Sequence, residues 1–367
     1  MIVVIADDLT GGAEIAGVAR RYGCCVHLTM DTFIRPKEAC DVLVVVTDIR
    51  SGSEWAARST IEKLMNDITE DDVRLFVKTD SAMRGHIVSE LTTIMRHRNC
   101  SSALLVAQNP SKGRVVVEGV YQINGHPLHE TAFRYDPEFP ARSSSVEELL
   151  KGCHSLRVYE TLKEGINIGD ASSEDDVVSQ LKKTKEDTLI AGGADLFEVY
   201  LQDMKKEWKR PATVQLIQLK RPCIIVCGST QPTKYKIGGI AEYCMPREVF
   251  HGADSSDWIS QLEDAYMNDG AIIIRIGNET EGYSHYANRL KKTMAAVVYR
   301  LVGVRKPELL MIEGGATAYA ILHQLQWTHL SVEEEMMPGV VRLVNNQHTK
   351  EVSIIIKPGS YPWNVTQ

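Results

Sequence analysis

Residues 2–12 read IVVIADDLTGG, and this stretch decides the fold. Its five opening aliphatic residues leave no polar face, which is typical of a strand that is buried on both sides in a parallel sheet. Two aspartates, a threonine and two glycines follow directly, so the sequence predicts a tight turn and then a helix over Thr10–Arg21. A buried strand followed by a helix is the repeating unit of α/β proteins.

The same pattern recurs along the whole chain. Further strands are predicted at Val42–Val46, Leu75–Val77, Ala103–Ala107, Cys223–Cys227, Ala271–Ile276, Leu309–Ile312 and Val352–Ile356. Further helices are predicted at Glu54–Ile68, His86–Arg98, His285–Val302 and Ala316–Leu325. This alternation predicts an α/β protein of two domains, each an open, mostly parallel sheet flanked by helices, with the active site in a cleft between the domains.

The length of 367 residues also favours two domains over one. A stretch rich in Lys and Arg, Met204–Pro222, contains two prolines and is the predicted boundary. We therefore expect a substrate-binding domain over residues 1–210 and a nucleotide-binding domain over residues 211–367. Residues 140–187 are polar and charged, and they are predicted to form surface helices and loops.

Composition excludes several classes of protein. The formal net charge is -7, and no basic patch dominates, which argues against a nucleic-acid partner. No apolar run is long enough for a membrane helix, and carboxylates end the first run after five residues, which argues against a signal peptide. The eight cysteines lack repeated CxxC spacing, which indicates free thiols in a reducing compartment. Together these features predict a cytoplasmic protein without a membrane partner.

Polar turns follow four predicted strands of the first half, at residues 7–12, 47–52, 78–85 and 108–114. Because ligands of open parallel sheets bind beyond the carboxyl ends of the strands, these turns are expected to meet in one crevice. Arg50, Lys78 and Arg84 are candidates to clamp a carboxylate. Asp8 and Asp80 are candidates to bind hydroxyl groups and to take a proton from one of them. Capping of the following helix remains the alternative role for an aspartate at such a turn.

The turns of the second half carry small residues instead, at 227–230, 313–318 and 357–360. Backbone N–H groups and hydroxyls in such turns can cradle a phosphate, although a Gly-Gly pair between strand and helix can also serve only packing. The chain contains no Gly-Lys pair and no G-x-G-x-x-G, so P-loop and dinucleotide-binding fingerprints are excluded.

Three blocks of the first half resemble the four-carbon acid sugar kinase family. They are IADDLTG at residues 5–11, KTDSAMRG at 78–85 and NPSKGR at 109–114. Short matches around 228–229, 314–317 and 357–359 extend the resemblance over almost the whole chain. Members of this family include 3-oxo-tetronate, D-threonate and D-erythronate kinases.

The resemblance implies that the N-terminal domain binds a sugar acid and that the C-terminal domain binds ATP, with Mg²⁺ accompanying the nucleotide. It implies phosphorylation of the terminal C4 hydroxyl, with Asp8 first and Asp80 second as candidate catalytic residues. Residues and resemblance together predict a substrate set of Asp7, Asp8, Arg50, Lys78, Asp80, Ser81, Ala82, Met83 and Arg84. The predicted nucleotide set is Ser229, Gly314, Gly315, Ala316, Thr317 and Gly359. Metal ligands are not identified, and a homodimer is left open.

Two other functions stay open at this point. A dehydrogenase or aldolase acting on the same acids would need a nicotinamide fingerprint or a Schiff-base lysine, for which Lys78 is the candidate. A non-catalytic sugar-acid-binding protein or sensor is favoured by Ala316, because the family usually carries an acidic residue at that position.

Overall fold

The computed structural model describes residues 1–70, 72–136, 138–204, 216–228, 237, 239–277, 283–345, 351–359, 363 and 365–366. The chain divides into two compact units, an N-terminal unit over Met1–Arg210 and a C-terminal unit over Pro211–Gln367. Among the described residues, no helix combines the length and the apolar character needed to cross a membrane. All eight cysteines are free thiols.

The N-terminal unit is built from eleven strands and six α-helices among its described residues. Its strands are β1 Ile2–Ala6, β2 Val26–Met30, β3 Val42–Val46, β4 Arg74–Lys78, β5 Ser102–Val106, β6 Arg114–Val117, β7 Val120–Ile123, β8 His126–Pro127, β9 His154–Leu156, β10 Gly165–Gly169 and β11 Thr188–Gly192. Its helices are α1 Leu9–Arg21, α2 Glu54–Asp67, α3 Ile87–Arg98, α4 Val146–Leu149, α5 Glu174–Leu181 and α6 Ala194–Met204.

Eight of these strands form a parallel sheet in the order β2-β3-β1-β4-β11-β5-β10-β9. The strands β1, β3 and β5 are buried along their whole length, which explains their unbroken aliphatic sequence. The helix α2 covers the sheet with Ala57, Ile61, Leu64 and Met65, the spacing of one helical face. The predicted α/β fold is confirmed.

The prediction of surface helices and loops for residues 140–187 holds for α4 and α5 but misses two strands. This segment contributes β9 and β10, and β10 pairs in parallel with β5 inside the sheet. Glycines begin and end β10, and Asn167 interrupts its apolar residues, so the strand has little apolar pattern. The Asn167 amide is fully buried and donates to the carbonyl oxygens of Ala103, Lys163 and Gly165, which removes the cost of burying it.

The strands β6, β7 and β8 form a separate antiparallel sheet after the turn that follows β5. The segment that continues from this sheet, residues 128–136, contains two short 3₁₀ turns, Leu128–Glu130 and Ala132–Tyr135. We call residues 114–136 the flap, because they contribute side chains to the polar turns at the carboxyl end of the parallel sheet.

The C-terminal unit is a second α/β sheet. Its strands are β12 Ile217–Gln218, β13 Cys223–Cys227, β14 Glu242–Cys244, β15 Ala271–Arg275, β16 Leu309–Glu313, β17 His329–Met337, β18 Val340–Asn345, β19 Val352–Lys357 and β20 Val365–Thr366. Its helices are α7 Arg247–Phe250, α8 Ser256–Asp269, α9 Tyr283–Val304 and α10 Gly315–Gln324. The sheet order is β14-β15-β13-β16-β19-β18-β17, and β12 pairs with β20 apart from it.

Five strands of this second sheet are parallel, whereas β17 and β18 form an antiparallel hairpin beside β19. The strand β17 has a mixed burial pattern and two register irregularities against β18. Three consecutive glutamates at residues 333–335 interrupt the apolar pattern, so the sequence did not predict this strand. The hairpin is an addition to the predicted sheet, and the parallel strands around it have the predicted places.

Candidate active site

Three adjacent strands of the N-terminal unit carry predicted substrate residues to one edge of the sheet. Ala6 at the end of β1 pairs with Val46 at the end of β3 and with Lys78 at the end of β4. The sheet order changes direction between β1 and β4. The strand β2, which follows β1 in sequence, lies on the β3 side, whereas β5, which follows β4, lies on the opposite side. Ligands of open α/β sheets bind outside the carboxyl ends of the strands at such a switch point.

Arg50 lies at the centre of this edge. Its Nε and Nη2 atoms donate to the two carboxylate oxygens of Asp7 at 2.8 and 3.0 Å. Its Nη2 lies 2.7 Å from Oδ1 of Asp8, and its Nη1 lies 3.4 Å from Oδ1 of Asp80. Only 15% of the Arg50 side chain is exposed. Burial disfavours its charge, but the three carboxylates outweigh this and hold the pKa of Arg50 well above its usual value.

Gly85 is required beside this arginine. A Cβ at Gly85 would lie 3.4 Å from Cγ of Arg50 and 3.6 Å from Oδ2 of Asp7, and the backbone φ of 95° belongs to the left-handed region. Glycine adopts this conformation without strain, whereas other residues rarely do. The backbone conformation therefore favours glycine at this position, whereas a Cβ would meet Arg50 and Asp7 at ordinary contact distances.

Asp80 accepts hydrogen bonds from every side. Its Oδ2 accepts from the backbone N–H groups of Ala82 and Arg84, at 3.0 and 3.2 Å, and from Nε of Arg84 at 2.9 Å. Its Oδ1 accepts from Nη2 of Arg84 at 2.9 Å. Burial opposes its charge, but Arg50 and Arg84 hold the pKa of Asp80 well below its usual range. A carboxylate stabilised in this way is a poor proton acceptor.

Asp8 is the most open of the three aspartates. Its side chain is 19% exposed, against 2% for Asp7 and 7% for Asp80. Its Oδ1 accepts from the backbone N–H of Gly11 at 2.8 Å, as the N-cap of α1, and also receives Arg50. Both contacts use the same oxygen, so Oδ2 is the atom that can accept a hydroxyl group of a ligand. The capping role and the ligand role are therefore compatible.

Lys78 and Lys112 share one buried carboxylate. Nζ of Lys78 donates to the carbonyl oxygen of Thr79 at 2.9 Å and lies 3.5 Å from Oε2 of Glu14, while Nζ of Lys112 donates to Oε1 of Glu14. Burial opposes the charge on Glu14, but the two ammonium groups outweigh it and hold its pKa below the usual value. Lys78 is 3% exposed. The ammonium group of Lys78, which was predicted to bind a substrate carboxylate, is therefore paired with a carboxylate of the protein, that of Glu14.

Arg84 links the Asp80 turn to the flap. Its Nη1 donates to Oδ2 of Asp136 at 2.9 Å, and its Cζ lies 5.2 Å from the centre of the Phe133 ring. Arg114 lies over the same ring, at 5.6 Å. Two guanidinium groups therefore contact one aromatic ring beside the Asp80 turn.

The turn after Asp80 presents one hydroxyl and two apolar side chains. The Ser81 hydroxyl accepts from Nη1 of Arg114, and the hydroxyl of Tyr121 donates to the Ser81 carbonyl oxygen. Ala82 and Met83 are 4% and 5% exposed and belong to the hydrophobic core. Within the predicted substrate set, Ser81 offers its side chain to the site, whereas Ala82 and Met83 anchor the turn.

Glu90 is a buried carboxyl group that the sequence did not single out. It lies in the first turn of α3, is 2% exposed, and its Oε1 has no hydrogen-bond partner among the described residues. Burial, reinforced by the negative charge of Asp7, raises the pKa of Glu90 to about 8. The carboxyl group is therefore protonated at neutral pH and adds no fourth negative charge around Arg50.

Glu90→Gln should make stability less dependent on pH. In the wild type, the folded state favours the protonated Glu90, so this contribution is complete below the unfolded pKa of 4.5 and is lost as pH rises through about 8. The variant cannot ionise, so its stability relative to the wild type should rise across that window, by up to about 1.4 kcal/mol for each unit of pKa shift. Urea denaturation at about pH 5, 7 and 9 measures this. Glu148→Gln, at an exposed position, is the control. A difference between Glu90→Gln and wild type that stays constant with pH would contradict it.

The turns of the C-terminal unit lie at the ends of β13, β16 and β19. The backbone N–H of Gly228 donates to the Glu313 carbonyl oxygen at 3.1 Å, and that of Gly314 donates to the Lys357 carbonyl oxygen at 2.9 Å. A Cβ at Gly228 would lie 2.1 Å from Oγ1 of Thr317, so only glycine permits this approach. The three turns are thereby joined side by side. The predicted residue Ser229 lies outside the described residues.

The helix α10 begins without a side-chain cap. Its N-cap is Gly314, whose φ of 97° favours glycine, and Gly315 and Ala316 follow without covering the helix end. In the N-terminal unit, by contrast, the side chains of Asp8 and Ser53 cap α1 and α2. Open N–H groups at a helix N-terminus attract phosphate oxygens, so this end of α10 fits the predicted nucleotide phosphates.

Lys357 and Glu313 form a buried ion pair below these turns. Nζ of Lys357 donates to Oε2 of Glu313 at 2.7 Å and to the Pro358 carbonyl oxygen at 3.2 Å. It also lies 4.8 Å from the centre of the Trp363 ring. Burial lowers the pKa of Lys357, and the hydrogen bond to Glu313 offsets this in part. The pair joins the ends of β16 and β19 and so positions the turns that begin at Gly314 and Pro358.

Lys357→Met should destabilise the C-terminal unit by about 3–5 kcal/mol, because it removes the ammonium group from a buried carboxylate. A double variant, Glu313→Gln with Lys357→Met, should recover much of this loss because both charges are gone. Urea denaturation followed by circular dichroism measures the effect, and Lys292→Met, at an exposed position of α9, is the control. A double variant that is much less stable than the single one would contradict the explanation.

No group of three or more His, Cys, Asp or Glu side chains among the described residues could hold a metal ion. Glu313, the acidic residue nearest to the open end of α10 in sequence, is paired with Lys357. The described donors therefore fit Mg²⁺ only when the ion is held mainly by nucleotide phosphates and water, as is common for this metal.

Two family models match this chain in order. A sugar-binding N-terminal domain matches residues 2–195, and a nucleotide-binding C-terminal domain matches residues 259–361. The chain belongs to the four-carbon acid sugar kinase family. The resemblance found in the sequence is confirmed.

Two curated relatives of this family member are named kinases. It is 29% identical over 204 residues to D-threonate kinase of Salmonella typhimurium, covering 53% of this chain and 48% of the relative. It is 27% identical over 155 residues to D-erythronate kinase of Heliobacterium modesticaldum, covering 41% of this chain and 35% of the relative. The chain thus spans about half the length, or less, of the curated relatives it matches.

Two solved structures share the fold. A proposed tRNA synthase from Salmonella typhimurium LT2 has a TM-score of 0.79 at 18% identity, covering 98% of this chain and 96% of that one. The Haemophilus influenzae protein HI1011 has a TM-score of 0.73 at 16% identity, covering 99% and 97%. At this level of identity the likeness shows the fold alone.

The structure brings much of the predicted substrate set into one network. Arg50 touches Asp7, Asp8 and Asp80, and Arg84 touches Asp80. Lys78 is paired with Glu14, and its ammonium group is close enough to this network to lower the pKa of Asp80. Sequence reasoning missed Glu14, Glu90, Arg114, Tyr121, Phe133 and Asp136. A signal was present for Arg114, which ends the block at 109–114, but the other five stand in unremarkable sequence.

Proposed function

We propose that this chain is an ATP-dependent kinase that phosphorylates the C4 hydroxyl of a four-carbon sugar acid such as threonate, erythronate or an oxo-tetronate. The observation that carries the proposal is Asp8, a partly exposed carboxylate at the switch point of the sheet whose described contacts all use Oδ1 and leave Oδ2 for a ligand. The kinase names of the relatives and the nucleotide-binding family model support the same activity.

Asp8 is the base in the proposed reaction. Its Oδ2 accepts the proton of the C4 hydroxyl while that oxygen attacks the γ-phosphorus of ATP and the bond to the β-phosphate oxygen breaks. The products are the C4 phosphate ester and ADP. Asp80 fits this role less well, because five donors already bind its carboxylate and its pKa is lowered. Asp7 lies behind Arg50 and fixes the arginine in place.

The C-terminal unit contributes the nucleotide site in this proposal. The open N-terminus of α10 at Gly314–Thr317 and the turn at Gly359 are the described parts that suit phosphate oxygens. Mg²⁺ bound to the phosphates would neutralise their charge. The domain roles over residues 1–210 and 211–367, the cleft between the domains and the homodimer stay predictions.

Lys78 does not suit the rival Schiff-base chemistry. Its ammonium group donates to the Thr79 carbonyl oxygen and faces the carboxylate of Glu14. The side chain is also only 3% exposed, whereas a Schiff-base lysine must reach the carbonyl group of its substrate. Borohydride should therefore trap no adduct at Lys78 in the presence of a four-carbon acid.

An ADP-release assay over threonate, erythronate and oxo-tetronate isomers tests the proposed function. We expect ATP-dependent turnover with at least one acid and a phosphate ester at C4 by ³¹P NMR. Folded protein that binds an acid but releases no ADP would reject the kinase and favour the sensor.

A further inference from the structure

Arg114 is a cation of the site whose charge no described carboxylate compensates. Arg50 contacts three carboxylates and Arg84 contacts two, while Lys78 and Lys112 share Glu14. Arg114 forms no ion pair with any described residue. Its contacts are a hydroxyl and an aromatic ring.

The surroundings of Arg114 are partly buried and suited to an anion. Its guanidinium donates to the Ser81 hydroxyl and lies over Phe133, and the buried hydroxyl of Tyr121 bonds the same serine at its carbonyl oxygen. Because Ser81 accepts from Arg114, its own hydroxyl hydrogen is free to be donated to a ligand. A guanidinium and a hydroxyl donor side by side form a binding site for a carboxylate.

An uncompensated charge in a partly buried site favours binding of the opposite charge. Burial of a charge costs desolvation free energy, which an ion pair offsets. The other cations of the site already form such ion pairs. Arg84 lies over the same ring of Phe133, but its charge is already paired with Asp80 and Asp136. Arg114 is therefore the cation with the most to gain from an acidic ligand.

We propose that Arg114 and Ser81 bind the carboxylate of the sugar acid, an inference that rests on the proposed function. Ser81 is the neighbour of Asp80, which contacts Arg50, which in turn contacts Asp8. The carboxylate end and the base thus lie at opposite ends of one chain of contacts. This order directs the hydroxyl farthest from the carboxylate toward Asp8 and gives a physical reason for transfer to C4.

The test compares each acid with its primary amide, which keeps the hydroxyl groups and loses the charge. In Arg114→Gln, kcat/KM for the acid should fall roughly 10–100-fold, since a hydrogen bond to a charged group contributes about 1.5–3 kcal/mol. KM for ATP should stay within about twofold. Turnover of the amide should fall less than that of the acid, because the amide accepts from Arg114 without a charge, so the acid-to-amide ratio should fall. Arg114→Lys keeps the charge without the two-pronged geometry and should be intermediate.

Arg134→Gln is the matched control, because Arg134 belongs to the flap but is exposed and lies over Tyr135. Its acid-to-amide ratio should equal that of the wild type. Thermal melting of each variant checks that the fold is retained. An Arg114→Gln enzyme with the wild-type ratio would overturn the proposed subsite while leaving the kinase intact.

Calorimetry without nucleotide separates the subsite from the reaction. The wild type should bind the acid, and Arg114→Gln should bind it at least about 10-fold more weakly. This result would support the subsite even if no ADP were released, in which case only the kinase proposal fails. Equal affinities, or no binding of any four-carbon acid by the wild type, would overturn the subsite.

Discussion

Asp8→Asn should lower kcat by more than about a hundredfold, because it removes the proposed base. The substitution suits the test, since an asparagine side-chain oxygen can still accept from the Gly11 N–H and cap α1. Arg50 keeps Asp7 and Asp80 as partners. The fold and the binding of both substrates should therefore change little, and the loss should appear in kcat.

Steady-state kinetics with the preferred acid, together with a thermal melt, measures this prediction. Asp80→Asn is the informative comparison, because it removes an acceptor of five hydrogen bonds or ion contacts and should loosen the 80–85 turn. We expect it to lower stability and raise KM for the acid. A near-normal kcat in Asp8→Asn with a collapsed kcat in Asp80→Asn would transfer the base to Asp80.

Arg50→Met should lower the free energy of unfolding of the N-terminal unit by about 3–5 kcal/mol at neutral pH. The variant leaves the carboxylates of Asp7 and Asp80, 2% and 7% exposed, without the guanidinium that lies between them. Burial already raises the pKa of Asp7, and the loss of Arg50 should raise it further. The pKa of Asp80 should rise less, because Asp80 keeps Arg84 and two backbone donors. The loss should be small below about pH 4 and should grow as pH rises.

Urea denaturation at about pH 4 and pH 7 measures this dependence. Adding Asp7→Asn to Arg50→Met should recover part of the loss at pH 7, because it removes one buried charge. Arg35→Met is the control, since Arg35 forms an exposed pair with Asp72 and its loss should change stability little. An Arg50→Met protein as stable as the wild type at both pH values would show that the arginine does not hold the three turns together.

The sequence predicted much of the sheet because a parallel strand buried on both faces is an unbroken run of aliphatic residues. The runs at β1, β3 and β13 are buried along their whole length and cannot be mistaken for polar surface. The strand β10 was missed because glycines begin and end it and because it carries Asn167, whose amide donates to Ala103 of the neighbouring strand and to two nearby carbonyl oxygens. The local sequence does not show whether a buried polar side chain will find its hydrogen-bond partners, because the fold brings those partners together.

The sequence predicted where the site lies, but it did not predict which charged side chains pair with one another. Arg50 was expected to hold a substrate carboxylate, whereas its described partners are aspartates from two other turns. Lys78 likewise faces Glu14, 64 residues away in sequence, which looks like an ordinary helix residue. Charge type is visible in a sequence, but whether a charge is already compensated depends on distances that only the fold sets.

The long sequence separations within the site also bear on how the protein is made. Arg50 reaches Asp7 across 43 residues, and Arg84 reaches Asp136 across 52. A nascent chain therefore cannot complete the pocket until the flap, which ends at residue 136, has left the ribosome. If a sugar acid protects nascent chains from protease only beyond a certain length, that length marks the point at which the N-terminal unit completes its pocket.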